Sequence, residues 1–249
     1  MITNGILCFA AYKTQFSPNY FPGIKLIISL ADRFSCVVNE NQVRNVSGLI
    51  LNRMVVHTMS APESGILIYY VDRHSVLESI LLAHLDNGDW CDISPLVENL
   101  PVIQPVESRP DQPDHLLALA GQLLLHLFPA LPGLGAPAQI AQIEPVLQYI
   151  EDNIQRPIYL ADLAPLLQLS LGRTRHVFLQ HVGMPFSRYI IWMRLRRVIH
   201  LIRIQPQPLG ETAIYCGFSD PSHFNRLFKR TFGTLPRRLL SANYQFLSI

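Results

Sequence analysis

Ser222, Asn225, Arg226 and Lys229 recur at i, i+3, i+4 and i+7, with His223 and Arg230 beside them. On a helix this spacing gathers them on one side, hydrogen-bonding groups towards one end and cations towards the other. Base edges in a DNA major groove are read by directional polar groups and phosphates by charge, so the set suits groove entry. A solvated helix surface carries similar residues, and one helix alone does not separate the two readings. Arg173, Arg175 and His176, with Gln180, offer a comparable face about fifty residues earlier. Other chemistry is poorly provided for. Cys8, Cys36, Cys91 and Cys216 show no CxxC or CxxH spacing, so neither a zinc site nor a disulfide framework is signalled. His57, His74 and His84 lack metal-ligand spacing and read as surface or hydrogen-bonded histidines. No enzyme, metal or cofactor is expected from these residues.

The elements that must position the polar faces are legible. Asp220 is an N-cap and Pro221 occupies the first helical position, where a missing amide hydrogen costs little. Phe224, Leu227, Phe228 and Phe232 form the inner face of that helix, and a shorter helix from Leu209 to Cys216 precedes it, ended by Gly217. Upstream, Ile143, Val146, Leu147, Ile150 and Ile154 mark an amphipathic helix. A short helix over 160–167 follows, with Leu163, Leu166 and Leu167 inward and Ala161 and Ala164 small. Residues 168–170 turn, and Ser170 caps a helix from Leu171 to about His181 that buries Val177 and Phe178. The arrangement repeats: Ala213 stands 49 residues after Ala164, and Phe228 and Gly233 stand 50 after Phe178 and Gly183. Between the units, Pro185–Ile204 reads as one helix, apolar through Tyr189, Ile190, Trp192, Met193, Leu195, Val198, Ile199 and Ile202. Its length of roughly 27 Å compares with the ~34 Å repeat of successive major grooves. Its arginines, Arg188, Arg194, Arg196, Arg197 and Arg203, either touch a DNA backbone or stay hydrated.

At 249 residues, 49% hydrophobic and 15% charged, the chain has material for two cores. The net charge of +2 conceals segregation: residues 143–249 carry 13 Lys/Arg against 6 Asp/Glu, net +7, and the remainder 7 against 12, net −5. A basic back half suits a polyanion partner. In the front, Ile24–Leu30, Cys36–Val38, Gly48–Met54 and Gly65–Val71 read as strands, and Val76, Leu77, Ile80, Leu81 and Leu85 as a helix. Pro101, Pro105, Pro110 and Pro113 describe an extended connector. Asp114–Phe128 is an apolar helix that packs within the front domain or pairs with a second copy in a homodimer. The stretch 129–137 is linker-like. The expected organisation is a sensing or dimerisation domain over 1–128, a linker over 129–142 and a DNA-binding domain over 143–249. Met1–Phe9 lacks a basic leader, and Gln122 and His126 interrupt the most apolar helix, so neither a secretory signal nor a membrane span is expected, and a cytoplasmic protein is.

The run Ala213–Phe224, continuing through Arg226, Phe228-Lys229-Arg230 and Gly233 to Pro236, closely resembles the AraC/XylS family of transcription regulators, over about residues 143–243. The resemblance implies an α+β protein: an N-terminal β-rich, partial cupin-like domain with helices, followed by an all-α C-terminal domain of two helix-turn-helix units joined by a linker helix. It implies base contacts from Gly172, Arg173, Arg175 and His176 in the first unit and from Ser222, His223 and Arg226 in the second. This chain departs in having Gln168 where the family usually has glycine, Thr174 where it expects an apolar residue, and Arg237-Arg238-Leu239-Leu240 where a Tyr-Arg pair often follows Pro236. By analogy the protein is an activator that works with RNA polymerase on double-stranded operator or promoter DNA, and its front domain binds an effector or dimerises. Gating by protein–protein interaction alone is an alternative. So is fusion to a DNA alkyl-transfer enzyme, which would need a zinc-held cysteine cluster.

Overall fold

The computed structural model describes residues 6–73, 75–100, 113–129, 142–204, 207–239 and 244–248. They group into two compact units, Met1–Ala136 with Lys229–Ile249, and Pro137–Phe228.

The first unit is built on antiparallel strands: β1 (Ile6–Ala11), β2 (Gln15–Asn19), β3 (Ile24–Ser29), β4 (Phe34–Val38), β5 (Asn41–Val46), β6 (Gly48–Leu51), β7 (His57–Ser60) and β8 (Ile66–Val71). Helix α1 (Val76–Leu85), strand β9 (Trp90–Asp92) and helices α2 (Ser94–Glu98) and α3 (Pro113–Leu127) follow. β1, β3 and β8 are buried along their whole lengths, which is why their sequences are continuous apolar runs without alternation. They lie at the centre of a six-stranded sheet, ordered β10-β1-β8-β3-β6-β9 with β10 (Tyr244–Ser248) from the end of the chain, and β2-β7-β4-β5 form a second sheet of four. The two sheets make the expected β-rich N-terminal domain. Cys8, Ala10, Leu26, Ile28, Leu67 and Tyr69 turn one face of the larger sheet towards α1, α2 and α3. Phe9, Lys25, Ile27 and Tyr70 alternate with them and face the second sheet.

The strands read from sequence are present; those not read are β1, β2, β5, β7, β9 and β10. β5 is largely polar and β2 contains Pro18, so neither carries a strand's usual composition. Leu119, Leu123, Leu124 and Leu127 of α3 pack into the unit's own core, and the Tyr69 hydroxyl donates to the Ala120 carbonyl at 3.0 Å. Leu116 and Leu117 lie outside the residues whose side chains are described, as do most of the 101–113 connector and the 129–142 linker.

The second unit contains α4 (Glu144–Asn153), α5 (Leu160–Leu167), α6 (Leu171–Val182), α7 (Phe186–Ile204), α8 (Leu209–Tyr215) and the start of α9 (Pro221–Phe232). The end of α9, α10 (Pro236–Leu239) and β10 (Tyr244–Ser248) group with the first unit, because β10 pairs antiparallel with β1, Leu7 opposite Ser248 and Ala11 opposite Tyr244. Sequence reading placed this tail with the DNA-binding segment; pairing to a distant strand leaves no local periodic signal. Another difference lies in α5. Leu163 points inward, but Leu166 is 40% exposed and Ala161 is also at the surface, so the inner face is narrower than the leucine spacing suggested.

Candidate nucleic-acid interface

Helix α6 starts where Ser170 Oγ accepts from the Arg173 amide at 3.4 Å and ends at Gly183, in the left-handed region at φ 74°. Thr174, Val177, Phe178 and Val182 are buried on its inner side, and Phe178 stands edge-on to Phe186 and Tyr189. Thr174 fills an apolar position because its hydroxyl donates to the Ser170 carbonyl at 2.9 Å, so no polar atom is stranded. Arg173, Arg175 and His176 are exposed on the other side. Nothing lies within 4 Å of where a Cβ on Gly172 would stand.

Helix α9 is capped as its sequence predicts: Asp220 Oδ1 accepts from the His223 amide at 2.7 Å. That bond, with the Ser219 hydroxyl at 3.0 Å from the other oxygen, holds the Asp220 carboxyl below its ordinary value. Phe224, Leu227, Phe228 and Phe232 are buried, and Phe218 packs edge-on against Phe224 at 5.1 Å. Ser222, Arg226, Lys229 and Arg230 are exposed. His223 and Asn225 are half-buried; the His223 ring has Nδ1 3.0 Å from Ser219 Oγ and an edge against Phe218. The Arg230 guanidinium lies over the Tyr20 ring, 5.7 Å from its centre, and the Arg230 carbonyl accepts from the Tyr20 amide at 3.2 Å.

The two helix pairs repeat atom for atom at their turns. The Leu169 amide donates to the Ala164 carbonyl at 3.1 Å, and 49 residues on the Phe218 amide donates to the Ala213 carbonyl at 3.1 Å. Gln168 and Gly217 occupy the intervening left-handed position at φ 54° and 89°. Thr174 corresponds to Phe224, Phe178 to Phe228, Arg173 to His223 and His176 to Arg226, each 50 residues apart. Each pair therefore presents a polar and cationic helix face from an equivalent scaffold.

Helix α7 holds the repeats by means its sequence left open. Arg194 donates from Nε to the Ile154 carbonyl at 3.1 Å and from its terminal nitrogen to the Arg156 carbonyl at 2.9 Å, tying α7 to the chain after α4. Arg196 is only 8% exposed and lies against the Trp192 ring. Neither is a hydrated cation in this structure, and no sequence signal distinguished them from Arg188, which is at the surface.

All four cysteines are free. Burial pushes Cys36 up to about 12 and Cys216 up to about 11, and holds Cys8 well above its ordinary value, so these thiols keep their protons at neutral pH and are poor nucleophiles. Among the described residues no group of three or more His, Cys, Asp and Glu stands together as a metal site, and no helix is long and apolar enough to cross a membrane. His57 and His84 are hydrogen-bonded, the latter to the Ile80 carbonyl at 2.9 Å; His74 lies outside the described residues.

Residues 163–242 match the model of a helix-turn-helix domain. The chain is 31% identical over 101 residues to the HTH-type transcriptional activator RhaR of Mannheimia succiniciproducens, a match covering 41% of this chain and 37% of that protein. It thus spans little more than a third of the length of this curated relative. Two solved structures share its fold over nearly its whole length at 14% identity. ToxT of Vibrio cholerae strain SCE256 with an unsaturated fatty acid bound has a TM-score of 0.52, covering 94% of both chains. ToxT of Vibrio cholerae O395 bound to (E)-4-(8-methylnaphthalen-1-yl)but-3-enoic acid has 0.54, covering 96% of this chain and 98% of that one.

Proposed function

We infer that this chain, whose C-terminal helices form a helix-turn-helix domain of the AraC/XylS type, is a sequence-specific DNA-binding transcription regulator acting as an activator. The observation that carries the reading is the duplication: one turn geometry built twice, each time followed by a helix with an apolar inner face and polar or cationic outer residues. Arg173, Arg175 and His176 on α6 and Ser222, His223, Asn225 and Arg226 on α9 are assigned to base edges. Lys229 and Arg230 are assigned to phosphates, and Arg230 must leave the Tyr20 ring to reach one. The 19 residues of α7 span about 28 Å, a length suited to successive major grooves on one side of a duplex.

In this reading residues 143–249 form the DNA-binding segment, 1–128 sense an effector or a partner and support a homodimer, and 129–142 join them. Activation requires contact with RNA polymerase, and the protein works in the cytoplasm. An effector for the front domain is supported by the organic acids held by the two ToxT structures of similar fold. The test is binding of the intact protein to double-stranded genomic fragments across a salt series. A specific subset should bind, with log K falling linearly as log salt rises. Absence of salt-sensitive binding to any duplex overturns the reading.

A further inference from the structure

The two sheets end in four edge strands, β10, β9, β2 and β5. An edge strand offers unpaired amide and carbonyl groups to any other strand that approaches it, and folds commonly blunt such edges with charge, proline, bulges or short length. Three of the four are blunted in these ways. β9 has only three residues, Trp90–Asp92, the last of them acidic. β2 contains Pro18, and its register with β7 shifts between Phe16 and Asn19. β5 carries Arg44 among the exposed residues Asn41, Gln42 and Asn45, and its register with β4 shifts between Phe34 and Cys36. β10 has none of these features. Tyr244-Gln245-Phe246-Leu247-Ser248 contains no charge and no proline, and it keeps an unbroken register with β1 from Tyr244 opposite Ala11 to Ser248 opposite Leu7. Among the described residues β10 pairs with β1 alone, so one side of its backbone is left open.

We propose that the open side of β10 is a homodimer surface, on which β10 of a second copy pairs antiparallel so that the two six-stranded sheets continue into one another across a two-fold axis. Charge selects a second copy as the occupant. A two-fold axis brings the same residues of both copies to one patch, so a charged strand would meet its own charge there, whereas the neutral β10 meets itself without repulsion. Backbone pairing then satisfies the amides and carbonyls that the edge leaves open. Five residues of strand are a small contact beside the ~1,200–2,000 Å² of a stable interface, and the neighbouring helix adds to it: α3 lies beside β10 and carries Leu125, 50% exposed. The proposal names the surface of the homodimer in the functional reading above, placing it on a strand from the DNA-binding segment rather than on the apolar face of α3. It rests on that reading only for its consequence, that DNA meets two copies related by a two-fold axis.

The test is sedimentation equilibrium of the full chain at low salt, with charge placed on the strand. The parent should be a dimer. Gln245→Lys and Gln245→Glu should each weaken the dimer at least tenfold, since two like charges then share the patch. Mixing the two variants should restore the dimer, because opposite charges pair across the axis; a variant that had merely lost its fold would not recover. Ser248→Lys and Ser248→Glu replace the first pair if either of those variants does not fold. Leu125→Lys should weaken the dimer less than either charge on β10. A monomeric parent, charged β10 variants that dimerise as the parent does, a mixture that stays monomeric, or a dimer lost only in Leu125→Lys overturns the proposal, the last outcome giving the interface to α3. Binding of the parent to double-stranded genomic fragments is measured alongside. If salt-sensitive binding persists while the β10 dimer fails, the surface is refuted and the regulator reading stands; if the dimer behaves as expected and no duplex binds, that reading fails by itself.

Discussion

Arg226 and Lys229 share an exposed face one turn apart and separate by chemistry rather than by position. A guanidinium pairs with two acceptors of one base, while an ammonium serves a phosphate of any sequence. Arg226→Ala should therefore weaken binding to the preferred duplex by about 1–3 kcal/mol and leave random DNA nearly unaffected, as measured by competition titration. Equal losses on both would move Arg226 to the phosphates. Lys229→Ala should weaken all duplexes alike and reduce the salt slope by about one. Gln168 shows a residue-scale cost of a different kind. It holds φ 54°, where its repeat partner is glycine, and a side chain there is strained. Gln168→Gly should raise stability by about 0.5–1 kcal/mol in denaturant titration, with DNA affinity unchanged.

Among the elements, α7 decides whether the two helix pairs keep a fixed geometry. Arg194 satisfies carbonyls just beyond the end of α4, and its guanidinium lies 2.8 Å from where a Cβ on Gly217 would stand. One arginine thus braces the chain after α4 and the turn after α8. Arg194→Met should lower stability by about 1–2 kcal/mol, because two charge-assisted bonds go and the part-buried Ile154 carbonyl loses its donor, while the exposed Arg156 carbonyl turns to water. Gly217→Ala meets both the guanidinium and a positive φ of 89°, so it should also destabilise. Thermal unfolding followed by circular dichroism measures both. An unchanged melting temperature for Arg194→Met would show that water replaces the arginine.

For the molecule as a whole, the buried Lys25 makes stability depend on pH. Burial holds its ammonium well below the ordinary 10.5, so between the two values the unfolded chain binds a proton that the folded chain does not. Stability should therefore rise with pH until about 10.5 is passed, and below the folded value it carries the full penalty of the buried charge. His57 adds a rise of the same sign below 6.5, its value lowered by burial and then by Lys25. Denaturant midpoints taken from pH 6 to 10 should show this climb in the parent and lose the alkaline part of it in Lys25→Met. A flat profile in the parent would mean that the ammonium is better solvated than its position allows.

The helical module was legible in the sequence because its signals are local. A cap such as Asp220, a left-handed stop such as Gly217 and an inner stripe such as Phe224, Phe228 and Phe232 are each fixed by residues within a few turns of one another. Duplication at a spacing of 49–50 then made one module predict the other. The front domain was legible only as β-rich, since strands buried on both faces lose alternation and β5 or β7 have little strand composition. Three things needed tertiary structure: which arginines of α7 are internal braces, that β10 pairs with β1, and that Lys25 is buried beside Asn19, His57 and Tyr70. Each depends on residues far apart in the chain meeting across a packed interior, and neither composition nor periodicity records which distant side chain a cation will face.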